Sequence, residues 1–441
     1  MSASSLWRIF NYLRYSAGIA LVVNGWPLVF FIRDTLRIGP ASNVFTAFFF
    51  GFSLLLMFPT HLFVRLYKVN FTLLKYGVLF LLVALYHFLL FNNSGVDWFV
   101  EMGNYVLIFA FLFLIIHVPN EVKDTLLPIV FLLTFLCNLT LVYSLLTDPN
   151  WHLGMRAAVT FGNENAQEGG NPHVTARNGL VCLISGLVLV GRYKNALIRI
   201  FLFAAVLFSL ALIVLSQARS ALLALVLMGG MFFFFNAKAE NVSRIIKGLF
   251  SVKSLVVVIL LFVGLKIFLA QFSSLEGMLY GYWYTFYDKM INIAYTAFGV
   301  KLTDTATIDH SAMGRVTSFS YFNEALAAPA LLLIGGGYKS SYMDVPIMES
   351  LVNHGIFGFI FFGGLNLYLF LYMLKEARKP ANNLTLFLAY FYVYIFVMVF
   401  TNGRPYDLYY WFPFVLFIRF LNIKYLDARP QETLQYRQQL T

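Results

Sequence analysis

Charge is scarce in this chain. Of its 441 residues only 12% are charged while 60% are hydrophobic, where a soluble domain carries about 25% charged and 45–50% apolar residues. An ordinary water-soluble fold is thereby excluded. Cysteine is scarcer still: Cys137 and Cys182 both sit inside apolar runs with no CxxC spacing, so buried thiols are expected and neither a disulfide framework nor a thiolate metal site is. Regular alternation is missing as well. Phe48, Phe49 and Phe50 are consecutive, and all four residues of 232–235 are phenylalanine, which excludes the alternating strands of an outer-membrane barrel. His152, His173, His310 and His354 show no ligand spacing of the HExxH kind, so each reads as an isolated polar contact, and no metal or cofactor is expected.

What the chain has in abundance is apolar runs near the ~20 residues needed to cross a hydrocarbon core. They predict an all-α polytopic membrane protein of about twelve transmembrane helices, at 16–32, 43–63, 72–91, 99–117, 126–146, 178–191, 197–216, 220–235, 254–271, 346–373, 383–401 and 408–420. Arg8 and Arg14 precede the first run without a small-residue cleavage site, so it reads as a retained helix and not a cleaved leader. With both termini cytoplasmic, 20 of the 31 basic residues but only 6 of the 20 acidic ones fall on the inner face, as the positive-inside rule requires. The net charge of +11 follows the membrane, and nucleic acid is not an expected partner.

The expected organisation is helices 1–9 over residues 1–271, a large outer loop at 272–345 between helices 9 and 10, helices 10–12 over 346–421, and a cytoplasmic tail at 422–441. A second outer segment, about 147–177, is rich in Gly, Asn and Glu. Both exceed the ~15 residues of a plain connection, which marks them as functional or disordered. The later loop crowds Tyr280, Tyr282, Trp283, Tyr284, Phe286 and Tyr287 together, a composition that favours a packed cap at the membrane surface. No internal repeat is visible, which weakens a transporter built from paired repeats.

Candidate chemistry gathers on the outer face. Arg156, Arg177, Arg219, Arg315 and Arg404 all map there. Taken singly, each reads as an arginine snorkelling to the interface. Arg219 differs, because it interrupts two apolar runs and an ionisable group at such depth costs about 2.5–3.5 kcal/mol; Ser216, Gln217 and Ser220 around it suggest a polar cavity. Several guanidinium groups together suit a diphosphate, since each offers planar bidentate donors. Asp344, just before the long helix that opens VPIMESLVNHGIFGF, suits a helix N-cap with Pro346 in the first turn, and equally a carboxylate able to take a proton from a sugar hydroxyl. Glu349 lies one turn further on. The run GGGYKS at 335–340 places Tyr338 where a phosphate loop needs glycine, so it reads as a flexible turn. Tyr338, Glu349, Arg156, Arg177 and Arg404 are the expected substrate contacts.

SQARSALLAL, followed by GRVTSFSYFNEALAAPALLLIGGGYKS and by a helix carrying GIFG at 355–358, resembles the O-antigen ligase and polymerase superfamily over residues 160–365. The resemblance implies metal-independent, inverting glycosyl transfer on the periplasmic side of a bacterial inner membrane. It also implies that the arginines matching Arg219 and Arg315 hold the undecaprenyl diphosphate of a lipid-linked glycan. The ligases carry a His-Asn-type pair, nine residues and then G-x-x-G; Asp344 stands at the position of that histidine, which favours the polymerase branch. The expected reaction joins repeat units carried on undecaprenyl diphosphate, with Asp344 as base, Arg219 and Arg315 on the leaving diphosphate, and a chain-length regulator as a possible partner protein. Its rivals are a ligase moving finished glycan to lipid A core or protein, and a flippase without chemistry.

The topology generates a first prediction. In a chain lacking Cys137 and Cys182, a cysteine replacing Ser274 is labelled by an impermeant reagent added outside the inner membrane and one replacing Ser243 is not; the opposite pattern reverses the orientation.

Overall fold

The computed structural model describes residues 3–39, 43–59, 66–92, 95–149, 151, 156–157, 172–236 and 310–423, with scattered positions between 259 and 296. Among these residues the elements are helices, with no strand and a single bridge between Asn92 and Tyr338. They are α1 Ala3–Asn24, α2 Trp26–Phe30 continued by a π-helical turn at Phe31–Thr35, α3 Asn43–Leu56, α4 Phe71–Leu90, α5 Trp98–Ile115, α6 Lys123–Thr147, α7 Pro172–Val190, α8 Ala196–Ser216, α9 Arg219–Asn236, α10 His310–Ala327, α11 Pro329–Ile334, α12 Pro346–Arg378, α13 Asn383–Val399 and α14 Leu408–Phe420. Polar residues begin several of them: Asn70 accepts from the Leu73 N–H, Asp97 from those of Phe99 and Val100, and Asn382 forms a capping box with Thr385.

Six helices are long and apolar enough to cross a membrane, α4, α5, α6 with its leading turn, α7, α8 and α12, and a seventh is reached if α1 and α2 count as one bent span. The chain is a multi-pass α-helical membrane protein. α3, α9, α13 and α14 are apolar but shorter. The expected ninth span lies outside the described residues except at 259 and 263, as do most of 152–171, most of the first part of the late loop, and the tail beyond 423. Of the aromatic cluster, Tyr280, Trp283, Tyr284 and Tyr287 are described; they are helical and exposed.

Contacts sort the helix ends into two sets. At one end Ser16 meets Thr125 at 2.7 Å, Arg192 donates to the Asp124 carbonyl, Lys375 to Asn422, and the buried Arg419 to the Val118 carbonyl and the Asn120 side chain, both at 2.7 Å. At the other end Tyr338 joins the end of α4, Arg404 meets Glu349, and Ser220 meets His173. Of the basic residues assigned to the inner face, Arg192, Lys375 and Arg419 make these contacts at the first end, and Asp344, Arg219 and Arg315 belong to segments at the second. Between the ends α7 is the central helix, since 78% of its apolar window is buried against 33–39% for the other five long spans.

Expected and observed helices differ where the backbone breaks. The first span, expected over 16–32, bends by 75° between Asn24 and Trp26. The Val23 carbonyl lies in the last turn of α1, where no helical N–H follows, and Pro27 in the first turn of α2 has none to offer; Arg177 supplies the missing donor, its Nη2 lying 2.7 Å from the Val23 oxygen. Pro413 inside α14 likewise deprives the Tyr409 carbonyl, which takes Arg177 Nη1 at 2.8 Å. Pro128 inside α6 deprives the Asp124 carbonyl, and Arg192 Nη1 reaches it at 3.0 Å. One helix end and two helix-interior prolines thus leave three carbonyls, and two arginines close them.

α12 breaks at Gly355, whose φ of 66° and ψ of −167° suit glycine alone. A Cβ there would strike the Leu333 carbonyl oxygen and approach the Ile334 carbonyl carbon at 2.8 Å. The break frees the Val352 and Asn353 carbonyls, which accept the N–H groups of Gly336 at 2.8 Å and Gly337 at 3.0 Å. Gly335 is also forced, with φ of 86° and a Cβ position 2.5 Å from the Asn353 oxygen. The expected loose turn at 335–340 is therefore a strap stitched to a broken helix.

A buried carbonyl left without a donor costs about 1–3 kcal/mol. Arg177→Met is accordingly expected to lower the melting temperature of the detergent-solubilised protein. Adding Pro413→Ala, which restores the N–H donor facing the Tyr409 carbonyl, should shrink that loss; an undiminished loss contradicts this role.

Candidate functional site

The strap 335–344 and the half-helix 346–354 enclose a polar network at the second end of the bundle. Asn353 accepts at its Oδ1 from Ser340 Oγ, Ser341 Oγ and the Ser341 N–H at 2.8, 2.9 and 3.2 Å, and its Nδ2 donates to the Ser341 carbonyl and to Glu349 Oε1, both at 3.1 Å. Glu349 is completely buried. Its Oε1 also accepts from Arg404 Nη1 at 3.1 Å and from the Tyr406 hydroxyl at 3.0 Å, while Oε2 accepts the Met343 N–H at 3.1 Å. Both carboxylate oxygens are thus engaged by protein donors. Removing one partner of a buried ion pair costs roughly 3–5 kcal/mol, so Arg404 and Glu349 hold each other in place.

A second acid anchors the other side of the strap. Glu101, in the first turn of α5, accepts from the Tyr338 hydroxyl at 2.6 Å and pairs with Lys339. The Tyr338 and Tyr406 rings lie 4.5 Å apart between the two carboxylates. Burial, and then the charge of Glu349, raises the Tyr406 phenol well above its ordinary range, so it stays a donor. Arg404 remains charged: burial works against it, and Glu349, Tyr406 and Asp407 together outweigh burial. His87 on α4 places Nε2 2.8 Å from the Ile334 carbonyl, tying α11 to the bundle, with the buried His354 ring 5.0 Å away.

Outside this network lies the candidate reacting centre. Asp344 is half-buried and does not cap α12, whose cap position is Val345 with no side-chain hydrogen bond. The expected capping role fails because the extended backbone at Val345 moves Asp344 out of reach of the helix N–H groups; instead its own N–H is donated to Ser318 Oγ at 3.2 Å. Its carboxylate lies over Gly314, where a Cβ would approach Oδ2 to 2.7 Å. Gly314 and Ser318 are one turn apart on α10, and Arg315 follows Gly314. The Tyr342 phenol is raised by burial, by the charge of Asp344 and by a hydrogen bond to it; the Arg404 guanidinium sits over the Tyr342 ring at 4.9 Å.

The cationic side forms where three helices meet. His173, in the first turn of α7, lies 3.3 Å from Ser220 Oγ at the start of α9 and feels the charges of Arg156 and Arg315. Arg219 is the first residue of α9, half-buried beside Ser220, just after the left-handed Gln217 that ends α8. The start of a helix adds the positive end of its dipole. Of the five expected arginines, Arg156 and Arg315 act by their charge on His173, and Arg219 precedes Ser220, the hydroxyl beside that ring. Arg404 faces Glu349, and Arg177 stands apart, its terminal nitrogens on main-chain carbonyls and its guanidinium 4.4 Å from the Tyr409 ring centre. Tyr338 is buried within the network.

Sequence reasoning missed Glu101, Lys339, Asn353 and Tyr406. Glu101 carried a usable signal, an acid inside an apolar span. Lys339 was set aside with the failed phosphate-loop pattern, and Asn353 and Tyr406 become visible only once the strap folds onto the half-helix. No protein-family model matches the chain, and no curated protein matches it.

Asp407 supplies a pH test. Burial pushes its carboxyl up to about 6, against the opposing Arg404 N–H and the charges of Lys339 and Arg404. A raised carboxyl binds more protons folded than unfolded, so its contribution weakens stability as pH rises from about 4 to 6 and is constant above. Asp407→Asn keeps an oxygen for the Arg404 N–H, and its melting temperature should gain on the parent across that window; an unchanged difference from pH 4 to 8 contradicts the shift.

Proposed function

We propose that this protein is a glycan polymerase of the bacterial inner membrane, joining lipid-diphosphate-linked oligosaccharide repeats on the periplasmic face. The observation that carries the reading is that Asp344 lies against Gly314, the residue before Arg315, at the end of the bundle where the charges of Arg156 and Arg315 reach His173 and Arg219 begins α9. The positive-inside distribution assigns that end to the periplasm, and the resemblance of SQARSALLAL and GRVTSFSYFNEAL to the ligase and polymerase superfamily agrees with it.

In the proposed step the oxygen of an acceptor hydroxyl attacks the anomeric carbon of the donor glycan from the face opposite its diphosphate. The new glycosidic bond forms as the carbon–oxygen bond to the diphosphate breaks, with inversion at the carbon. The hydroxyl proton passes to the Asp344 carboxylate. The electron pair leaves with the lipid diphosphate, whose growing charge Arg219 and Arg315 stabilise. Arg156, exposed at the rim, guides the anion inward. Arg404 and Glu349 belong to the scaffold in this reading and not to the substrate contacts.

Cells whose only copy carries Arg219→Lys should lose most polymer while the protein accumulates normally, because lysine keeps the charge but not the bidentate fork. Asp344→Asn should leave single repeat units attached to the surface acceptor. A normal ladder of chain lengths in both variants refutes the assignment, and long polymer stranded on the carrier replaces the polymerase with a ligase.

A further inference from the structure

Glu349 has no oxygen left for a substrate, and its hydrogen bonds point elsewhere. One of them, from the Met343 N–H to Oε2 at 3.1 Å, falls on the residue immediately before Asp344. Met343 is wholly buried, and the next N–H along, that of Asp344, is held by Ser318. The peptide carrying the candidate base is thus fixed from two sides, by α12 through Glu349 and by α10 through Ser318. Glu349 is in turn held by Arg404, Tyr406 and Asn353, and Arg404 braces Tyr342 on the other side of Met343.

We infer that Glu349, clamped by Arg404, is a positioning residue that aims the Asp344 carboxylate by holding the Met343 N–H. The inference rests on the reading of Asp344 as the base. It gives the ion pair of Arg404 and Glu349 a task besides packing: the pair connects the loop before α14 to the strap, and the strap to the reacting carboxylate. Glu349→Gln leaves an oxygen for Arg404, Tyr406 and Asn353 but turns an NH2 toward the Met343 N–H. Two donors then face each other, and the peptide must move. A displacement near 1 Å at a reacting group costs on the order of 100-fold in rate.

Two measurements test this in the full-length protein. The first is a double-mutant cycle read as polymer made per inserted protein in cells. Glu349→Gln should lower polymer on the order of 100-fold, and Glu349→Gln with Asp344→Asn should be no worse than Asp344→Asn alone, because a residue acting through Asp344 adds nothing once Asp344 is gone. The second needs no activity. With Cys137 and Cys182 removed, a cysteine replacing Asp344 is modified by an impermeant methanethiosulfonate, with and without Glu349→Gln. The rate at 344 should rise severalfold in the Gln variant, while that of a control cysteine replacing the exposed Phe99 stays constant. Wild-type polymer from Glu349→Gln, an additive loss in the double variant, or equal rates at 344 each overturn the inference. Full polymer from Asp344→Asn instead removes the base reading, and the rate at 344 alone then decides whether Glu349 holds this peptide.

Discussion

A main-chain carbonyl that loses its helical partner inside an apolar bundle has no water to turn to, and most of this architecture follows from how such carbonyls find donors. The bend that ends α1 and Pro413 inside α14 free the Val23 and Tyr409 oxygens, and one guanidinium, Arg177, closes both. At the exposed first end of the bundle, Pro128 frees the Asp124 oxygen, and Arg192 caps it. Gly355 frees the Val352 and Asn353 oxygens, and the N–H groups of Gly336 and Gly337 close them. Each repair joins segments distant in sequence. Arg177 links the bend after α1 to α14 through α7, and the strap 335–344 is drawn onto α12 because α12 is broken where the strap arrives.

The site inherits its order from these repairs. Once Gly336 and Gly337 are bound, Tyr338 and Lys339 fall beside Glu101, and Ser340 and Ser341 fall on Asn353. Met343 then meets Glu349, and Asp344 emerges half-buried against α10. An inner layer of hydrogen-bonded acids, amides and phenols supports an outer layer in which a carboxylate and several cations share one end of the bundle. Such a division suits a reaction on a bulky lipid-linked substrate, whose charged part must be held at the membrane surface by groups that do not rearrange on binding.

The sequence revealed the apolar segments, because a span of about 20 residues in a 12% charged chain has few other readings, and it revealed Arg219, because an arginine between two such runs is costly. Asp344 was recognisable by its spacing from Gly355. Its capping role was not excluded in advance, since that depends on the backbone of Val345 alone. Arg177 looked like Arg219 in composition and context; only the bend after Asn24 and the proline at 413, both far away in the chain, mark it as a carbonyl clamp. The pairing of Glu349 with Arg404 was not legible either, because it spans 55 residues and is invisible until α12 and α14 pack.

The most direct measurement uses the purified protein in lipid vesicles, supplied on one face with an undecaprenyl-diphosphate-linked oligosaccharide. Glycan length and free carrier diphosphate are followed together. Polymerisation at the Asp344 and Arg219 centre yields longer glycan, with one carrier diphosphate released for every bond formed. Oligosaccharide that remains intact on its carrier and appears on the opposite face would contradict it, and would make this bundle a conduit for lipid-linked glycan without bond chemistry.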